Sequence, residues 1–156
     1  MPRPRLDCHE RALGLLAVRP RSRSELRSRL LRAGFDTVQV EGELERLEAV
    51  GLVDDADFAR RVVEHEVSAR LSGRRAIVNR LAAKGVDRAT IERTLDEVGV
   101  ADEERALELA RGRARRLGGL RPERAYPRLV AFLTRRGYEP ALARSAARAA
   151  LDVQPD

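Results

Sequence analysis

The sequence contains few of the residues on which disulfide frameworks, zinc sites and aromatic-rich cores depend. Its 156 residues include one cysteine, two histidines and five aromatic side chains, and tryptophan is missing. A single cysteine excludes an internal disulfide framework and fits a reducing compartment, so we expect a cytoplasmic protein. Cys8, His9 and His65 do not supply the three or four ligands that a zinc site needs at workable spacing. We therefore expect neither a metal nor another cofactor.

Membrane segments and catalytic motifs are missing as well. No run of about 18 uncharged apolar residues occurs, and residues 1–5 are not followed by the apolar stretch of a signal peptide. The chain has no Gly-x-x-x-x-Gly-Lys-Ser/Thr loop for phosphates and no Gly-x-Ser-x-Gly turn for a nucleophilic serine. Asp54, Asp55 and Asp57 could be metal ligands, but acids at the start of a helix stabilise it by ~0.3–1 kcal/mol each. Helix capping is the stronger interpretation, and the sequence predicts that the protein is not an enzyme.

Small apolar side chains and arginine dominate what the chain does contain. Hydrophobic residues make up 43% of the sequence, and most are alanine, leucine or valine. Alanine and leucine suit closely packed helices better than sheets, which favour β-branched and aromatic residues. Lysine and arginine together number 31 against 25 acidic residues, and Lys84 is the only lysine. The basic excess is compatible with a polyanion or an acidic protein surface as the partner.

Three segments of the chain are similar to one another: residues 30–36, 81–87 and 133–139. Each has a leucine, then a glycine four positions later, an apolar residue directly after the glycine, and then an acid. Glycine in the left-handed conformation ends a helix at little cost, and aspartate begins the next one well. We interpret the segments as tight turns between helices, with Gly34, Gly85 and Gly137 as their structural residues.

The spacing of apolar residues around each turn predicts three helices in each of three copies. The first helix of each copy is expected at about residues 8–18, 55–71 and 102–116, with Leu13, Leu16 and Ala17 apolar in the first of them. The helices on either side of Gly34 carry apolar stripes, Leu26, Leu30 and Leu31 before it and Val40, Leu44 and Leu47 after it, and the helix before Gly137 carries Leu129, Phe132 and Leu133. Apolar and polar residues do not alternate with a period of two, so no strand is predicted. The predicted fold class is all-α: three tandem three-helix repeats in an elongated, curved solenoid-like array. The expected repeats are residues 8–53, 54–100 and 101–152, between disordered tails at 1–7 and 153–156.

Arginine clusters are the strongest candidates for a function. Guanidinium groups pair with two oxygens of a carboxylate or a phosphate, so they fit an acidic protein as well as a DNA backbone. An ordinary solvated surface in an arginine-rich protein is the alternative interpretation. Aromatic residues do not interleave with these arginines, which argues against stacking of single-stranded bases. The candidate partner or DNA contacts are Arg70, Arg74, Arg75, Lys84, Arg88, Arg111, Arg115, Arg116, Arg135 and Arg136.

Three stretches resemble signature elements of the RecX family. Residues 51–59 resemble its Gly-Leu/Tyr-Leu-Asp-Asp turn followed by a helix with Phe-Ala, and residues 72–86 look like the core of its second repeat. Residues 132–138 look like its closing Leu-x-Arg-Arg-Gly-Tyr element, and the resemblance covers about residues 8–151. It implies an all-helical regulator of the RecA recombinase, elongated and lying in the deep groove of the RecA–DNA filament.

The resemblance also implies an activity and a partner. Members of the family inhibit the ATPase and the strand exchange of RecA and alter filament assembly, in recombinational DNA repair and the SOS response. We therefore expect a protein–protein interaction with the RecA filament, a weak contact with DNA, and a monomer.

Two alternative functions remain open from the residues. Residues 22–53 also read like the winged helix-turn-helix of a DNA-binding transcription regulator, for which one duplex should bind far more tightly than scrambled DNA. The arginines also fit a nonspecific nucleic-acid binder, whose affinity should fall steeply as salt rises.

Overall fold

The computed structural model describes residues 5–152, and this part of the chain forms nine α-helices without a strand. The predicted all-α fold class is therefore confirmed. The disorder expected at 1–7 and 153–156 lies outside the described residues, apart from residues 5–7, which are not helical and end in Asp7, the N-cap of α1. The helices are α1 (Cys8–Val18), α2 (Arg23–Arg32), α3 (Thr37–Ala49), α4 (Asp55–Ser68), α5 (Arg74–Ala83), α6 (Arg88–Val98), α7 (Asp102–Arg116), α8 (Pro122–Arg135) and α9 (Pro140–Asp152).

The nine helices are distributed over two compact units. The first contains the residues up to Arg61 together with Leu81–Thr94, and the second contains Val62–Arg80 together with the residues from Leu95 onward. Helices α1, α2 and α3 belong wholly to the first unit, and α7, α8 and α9 belong wholly to the second. The division passes through α4, α5 and α6, so the predicted middle repeat contributes residues to both units.

The core of the first unit lies between α1, α2 and α3. Leucines of α2 and α3 pack there in the predicted helical stripes, together with Ala12 and Leu15 of α1. Of the apolar residues predicted on α1, Leu16 packs against this core, but Leu13 is 37% exposed and Ala17 is exposed. Ala12 and Leu15 have the same helical spacing as the predicted set, and packing against α2 and α3 selects between the two faces.

The core of the second unit is built from small side chains. Helices α7 and α9 pack against each other along alanines, and Leu129 and Leu133 of α8 complete the cluster around Tyr138. Alanine allows two helices to approach closely, whereas the buried tyrosine fills the remaining volume. Its hydroxyl finds a partner by donating to the carbonyl of Leu71, and burial raises the pKa of Tyr138.

In the first unit, the turn between α5 and α6 presses against the start of α2. Gly85 has φ of 77°, and a Cβ added there would lie 2.3 Å from Cβ of Ser24. Beside this contact, Asp55 at the start of α4 accepts a hydrogen bond of 2.8 Å from the backbone N–H of Arg23. That N–H is one of the donors that a helix leaves unpaired in its first turn. Burial raises the pKa of Asp55, and the hydrogen bond from Arg23 offsets part of that rise.

The second unit repeats this arrangement around the turn between α8 and α9. Gly137 has φ of 93°, and a Cβ added there would lie 2.3 Å from Cβ of Ala76 in α5. The carbonyl of Gly137 accepts from the N–H of Arg75 at 3.1 Å. Asp102 at the start of α7 accepts from the N–H of Arg74 at 2.9 Å. A glycine turn, the start of a second helix and an acid from a third element therefore meet in the same way twice.

Helix α4 ends at Ser68, earlier than the predicted limit near residue 71. Leu71 instead adopts φ of 51°. Among residues 5–152 it is the one non-glycine residue with a positive φ. The N–H and the hydroxyl of Ser72 donate to the carbonyl and the carboxylate of Glu66, at 3.0 and 2.7 Å, and close the helix end. The left-handed conformation costs a non-glycine residue roughly 1–2 kcal/mol, and these hydrogen bonds, together with the one from Tyr138, hold Leu71 in it.

Candidate partner interface

The first unit holds most of the cations near its α2 helix in ion pairs. These pairs join Arg19 and Lys84 to Glu25, Arg23 to Glu41 and Glu48, and Arg27 to Glu41. Nζ of Lys84 lies 2.6 Å from Glu25, so this predicted contact residue is engaged inside the unit. Arg88, also predicted as a contact, is exposed at the start of α6, and no residue in the described range forms an ion pair with it.

Glu25→Gln is expected to destabilise the first unit at neutral pH but not in acid. Burial by itself raises the pKa of Glu25, yet the hydrogen bonds from Lys84 and Arg19 outweigh it and leave the pKa lowered. An acid with a lowered folded-state pKa contributes stability above its ordinary pKa of ~4.3 and loses it as the pH falls through the folded-state value. Urea unfolding of both proteins at about pH 7 and about pH 3 measures the difference.

Glu45→Gln is the matched control, since Glu45 is exposed on α3 and has no ion pair with any described residue. Its effect on the free energy of unfolding should be small at both pH values. A destabilisation by Glu25→Gln that stayed undiminished in acid would show that the ion pairs are not its source.

Carboxylates engage two of the three predicted contact residues between 70 and 75. Nε of Arg70 lies 3.8 Å from Glu66, and Nη2 of Arg74 lies 3.8 Å from Asp96. The side chain of Arg75 is exposed and forms no ion pair within residues 5–152. Of this group, Arg75 presents its charge to solvent most freely.

Arg105 forms the most buried ion pair of the second unit. Its side chain is 10% exposed, and Nη2 lies 2.5 Å from Oδ1 of Asp102. Nη1 donates to the carbonyl of Ala101 at 2.7 Å, and Nη2 donates to the carbonyl of Ser72 at 3.3 Å. This guanidinium links the start of α7 to Ser72, two residues before α5, and its charge is satisfied within the second unit.

The C-terminal half of α7 carries four arginines that, unlike Arg105, form no ion pair with a described residue. Within the described part of the chain, no acidic residue pairs with Arg111, Arg113, Arg115 or Arg116. Cations in the last turn offset the negative end of the helix dipole, which accounts for part of their presence. Unlike Arg23 and Arg27 of α2, however, these four form no ion pair with a described residue, so their charge is available for another molecule.

A groove of about 440 Å³ lies along this part of α7. Cζ of Arg113 lies 5.2 Å from the centre of the Phe132 ring, and Cζ of Arg136 lies 5.8 Å from it, both within the range of a cation–π interaction. Arg136 also donates to the carbonyl of Arg70. The groove is lined by Leu71, Glu108, Leu109, Gly112, Arg113, Arg115, Arg116 and Phe132.

The structure therefore brings together some of the predicted contacts and not others. Arg115 and Arg116 line the groove, and Arg136 contacts the ring that forms part of it. Arg111 is exposed on α7 outside the lining, and Arg135 is exposed at the end of α8.

The acids of residues 54–57 act as predicted from the sequence. Oδ1 of Asp54 accepts from the N–H of Asp57 at 3.1 Å, which caps the start of α4. Across the described residues, no group of three or more histidine, cysteine, aspartate or glutamate side chains is placed to hold a metal ion. None of the helices in that range is long and apolar enough to cross a membrane.

Comparison with protein-family models decides the family. The first three-helix domain of RecX matches residues 8–47, and the second three-helix domain of RecX matches residues 54–95. The chain belongs to the RecX family. The family suggested by the turn at residues 51–59 is thereby confirmed.

Curated RecX relatives cover most of the chain. The regulatory protein RecX of Amycolatopsis mediterranei (strain U-32) is 41% identical over 130 residues, which are 83% of this chain and 74% of the relative. The regulatory protein RecX of Mycobacterium avium (strain 104) is 39% identical over 133 residues, or 84% of this chain and 77% of the relative.

Two solved RecX structures share the fold. The crystal structure of RecX from Lactobacillus salivarius has a TM-score of 0.83 at 18% identity and covers 94% of this chain and 96% of its own. Another crystal structure of a regulatory protein RecX has a TM-score of 0.77 at 24% identity and covers 93% of this chain and 70% of its own. At these identities the likeness shows the fold alone, and it agrees with repeated three-helix domains.

The sequence analysis does not select six of the eight residues that line the groove, among them Leu71, Arg113 and Phe132. The sequence predicts Leu71 as the end of a helix and Phe132 as part of an apolar stripe, and Arg113 is not among the predicted contacts. Periodicity gave no signal for Leu71, because its left-handed conformation depends on the distant Tyr138. The clearest available signal was the run of four arginines between 111 and 116 without an acid among them.

Proposed function

We propose that this chain binds the RecA–DNA filament and inhibits its ATP hydrolysis and strand exchange, and thereby modulates filament assembly in recombinational DNA repair and the SOS response. Membership of the RecX family supports this proposal. The observation that carries it is the set of arginines on α7 without acidic partners among the described residues, which fits an acidic partner surface.

The proposed mechanism is steric and electrostatic rather than catalytic. Repeated helical domains would bind several protomers of the filament, and many weak contacts would add up through multivalency. Bound in this way, the chain would obstruct the second DNA or the protomer motions that accompany ATP turnover. We propose a monomeric, cytoplasmic protein without enzymatic activity, whose contact with DNA is weak and directed to phosphates.

The sequence-specific transcription regulator is the less favoured function. A winged helix-turn-helix would need a β-wing after α3, but the next element within the described range is helix α4 from Asp55. Nonspecific DNA binding agrees with the unpaired arginines and is tested by its salt dependence. An affinity for short duplexes that falls ~10³-fold or more between 50 and 200 mM salt would favour it.

Substoichiometric amounts of the purified chain are expected to slow DNA-dependent ATP hydrolysis by the recombinase of the same organism. One molecule that spans several protomers can inhibit all of them, which is why less than one equivalent should suffice. The measurement is the steady-state ATPase rate of filaments on single-stranded DNA at increasing concentrations of the chain. An unchanged rate at severalfold excess over recombinase would remove the proposal.

Simple competition for DNA is the control for this experiment. Adding single-stranded DNA in excess should leave the inhibition in place if the chain acts on the filament. Inhibition that vanishes with excess DNA would identify the chain as a nonspecific nucleic-acid binder instead.

A further inference from the structure

Part of the groove beside α7 is lined by apolar side chains. Leu71, Leu109 and Phe132 line it from three different segments, and Phe132 is half-buried. Its volume of about 440 Å³ lies within the range of roughly 300–1,000 Å³ that is usual for ligand pockets. The groove can therefore receive a large apolar side chain from another molecule.

Positive charge surrounds this apolar part. Arg113, Arg115 and Arg116 line the groove, and no ion pair to a described residue occupies any of them. Glu108 is the one acid of the lining. A ligand that places carboxylates beside an apolar side chain would match both properties of the groove.

Leu71 adds a second, independent observation. Its φ of 51° carries a conformational cost that a leucine rarely bears, and the hydroxyl of Tyr138 holds its carbonyl in place. Glycine at this position would avoid that cost. The leucine side chain is nevertheless present, and it lines the groove.

Nucleic acid fits the groove less well than a peptide. Phe132 is the one aromatic residue of the lining, so the groove lacks the successive aromatic faces on which single-stranded bases stack. A duplex backbone offers phosphates but no apolar group to fill the space between Leu71 and Leu109.

We propose that this groove binds an acidic peptide segment through one large apolar side chain flanked by carboxylates. The apolar side chain would lie against Leu71, Leu109 and Phe132, and the carboxylates would pair with Arg113, Arg115 and Arg116. Assigning the segment to the recombinase rests on the proposed function, whereas the peptide chemistry rests on the groove itself.

Direct binding of designed peptides to the full chain tests the chemistry. The probe is a fluorescent ten-residue peptide of aspartate and glutamate with one central phenylalanine, compared with the same peptide carrying a central serine. The phenylalanine peptide is expected to bind at least tenfold more tightly in fluorescence anisotropy. Equal affinities, or displacement of the peptide by single-stranded or duplex DNA at lower concentration than by unlabelled peptide, would overturn the proposal.

Two variants separate recognition from folding. Arg115→Glu combined with Arg116→Glu should weaken binding of the phenylalanine peptide at least tenfold. The control, Arg124→Glu with Arg128→Glu, changes the charge equally on exposed α8 residues outside the groove and should alter affinity less than twofold. Leu71→Gly should keep or raise the urea midpoint and still weaken binding at least fivefold; unchanged affinity in this variant would contradict the role of Leu71.

The same variants in the ATPase assay distinguish the two proposals. If the unaltered chain inhibits the recombinase and the double α7 variant inhibits equally well, the assignment of the peptide segment to the recombinase fails and the proposed function stands. If the unaltered chain does not inhibit, the proposed function fails, and peptide binding alone then decides whether the groove is a peptide site. We expect the double α7 variant to need at least tenfold more protein for half-inhibition.

Discussion

Gly137→Ala is expected to destabilise the second unit by about 2–5 kcal/mol. The new Cβ would lie 2.3 Å from Cβ and 2.5 Å from N of Ala76, so backbone as well as side chain must move. The φ of 93° adds the cost of the left-handed conformation for a residue with a Cβ. The free energy of unfolding, measured in urea by far-ultraviolet circular dichroism, checks the value.

Two other glycines separate the two contributions to this loss. Gly34 occupies the matching turn with φ of 99°, but nothing lies within 4 Å of an added Cβ, so Gly34→Ala should cost only ~1–2 kcal/mol. Gly73 has no positive φ, yet its added Cβ would lie 2.4 Å from the carbonyl carbon of Gly137, so Gly73→Ala should show the overlap alone. Equal losses in Gly137→Ala and Gly34→Ala would mean that the close contact of the turn with α5 contributes nothing.

Arg105→Ala is expected to cost about 3–5 kcal/mol, because it leaves the Asp102 carboxylate without its cationic partner at a nearly buried site, with the N–H of Arg74 still donating to it. The Asp102 side chain is 15% exposed, and the guanidinium lies 2.5 Å from it. The carbonyls of Ala101 and Ser72 lose donors as well. Urea unfolding of the variant at neutral pH gives the loss.

Arg61→Ala is the matched control for Arg105→Ala. Arg61 also pairs with an aspartate one helical turn earlier, at 2.8 Å from Asp57, but the two side chains are 63% and 46% exposed. Exposed helical pairs contribute about 0.3–0.5 kcal/mol, so the control should remain close to the unaltered chain. Similar losses in both variants would exclude burial as the reason for the large effect.

Arrangements that depend on neighbouring residues were predictable from the sequence. The helix stripe at Leu26 and Leu30 and the cap at Asp54–Asp57 follow from spacing and local hydrogen bonding, and the structure confirms them. Gly34, Gly85 and Gly137 have the positive φ that their position after a helix favours. The RecX family could also be identified from short motifs, because its turn at residues 51–59 combines backbone and capping requirements in one stretch.

The sequence does not show which of the predicted contact residues are paired with acids from other helices. Lys84 and Arg74 are predicted contacts because of their charge, but the structure places carboxylates beside them. Arg115 and Arg116 were chosen on the same grounds and remain without an ion pair to any residue the structure describes. Identical charges in the sequence thus differ in availability, and only the position of acids from other helices separates them.

The sequence by itself determined that the chain is all-α, that its helices recur around three glycines, and that it belongs to the RecX family. These properties depend on residues within a few helical turns of one another, where spacing fixes geometry. Only the tertiary structure decided which face of α1 is buried, which arginines are free, and that Leu71 lies at a groove with Phe132. Those properties depend on packing between distant segments, such as the hydrogen bond from Tyr138 to Leu71, and local periodicity carries no information about it.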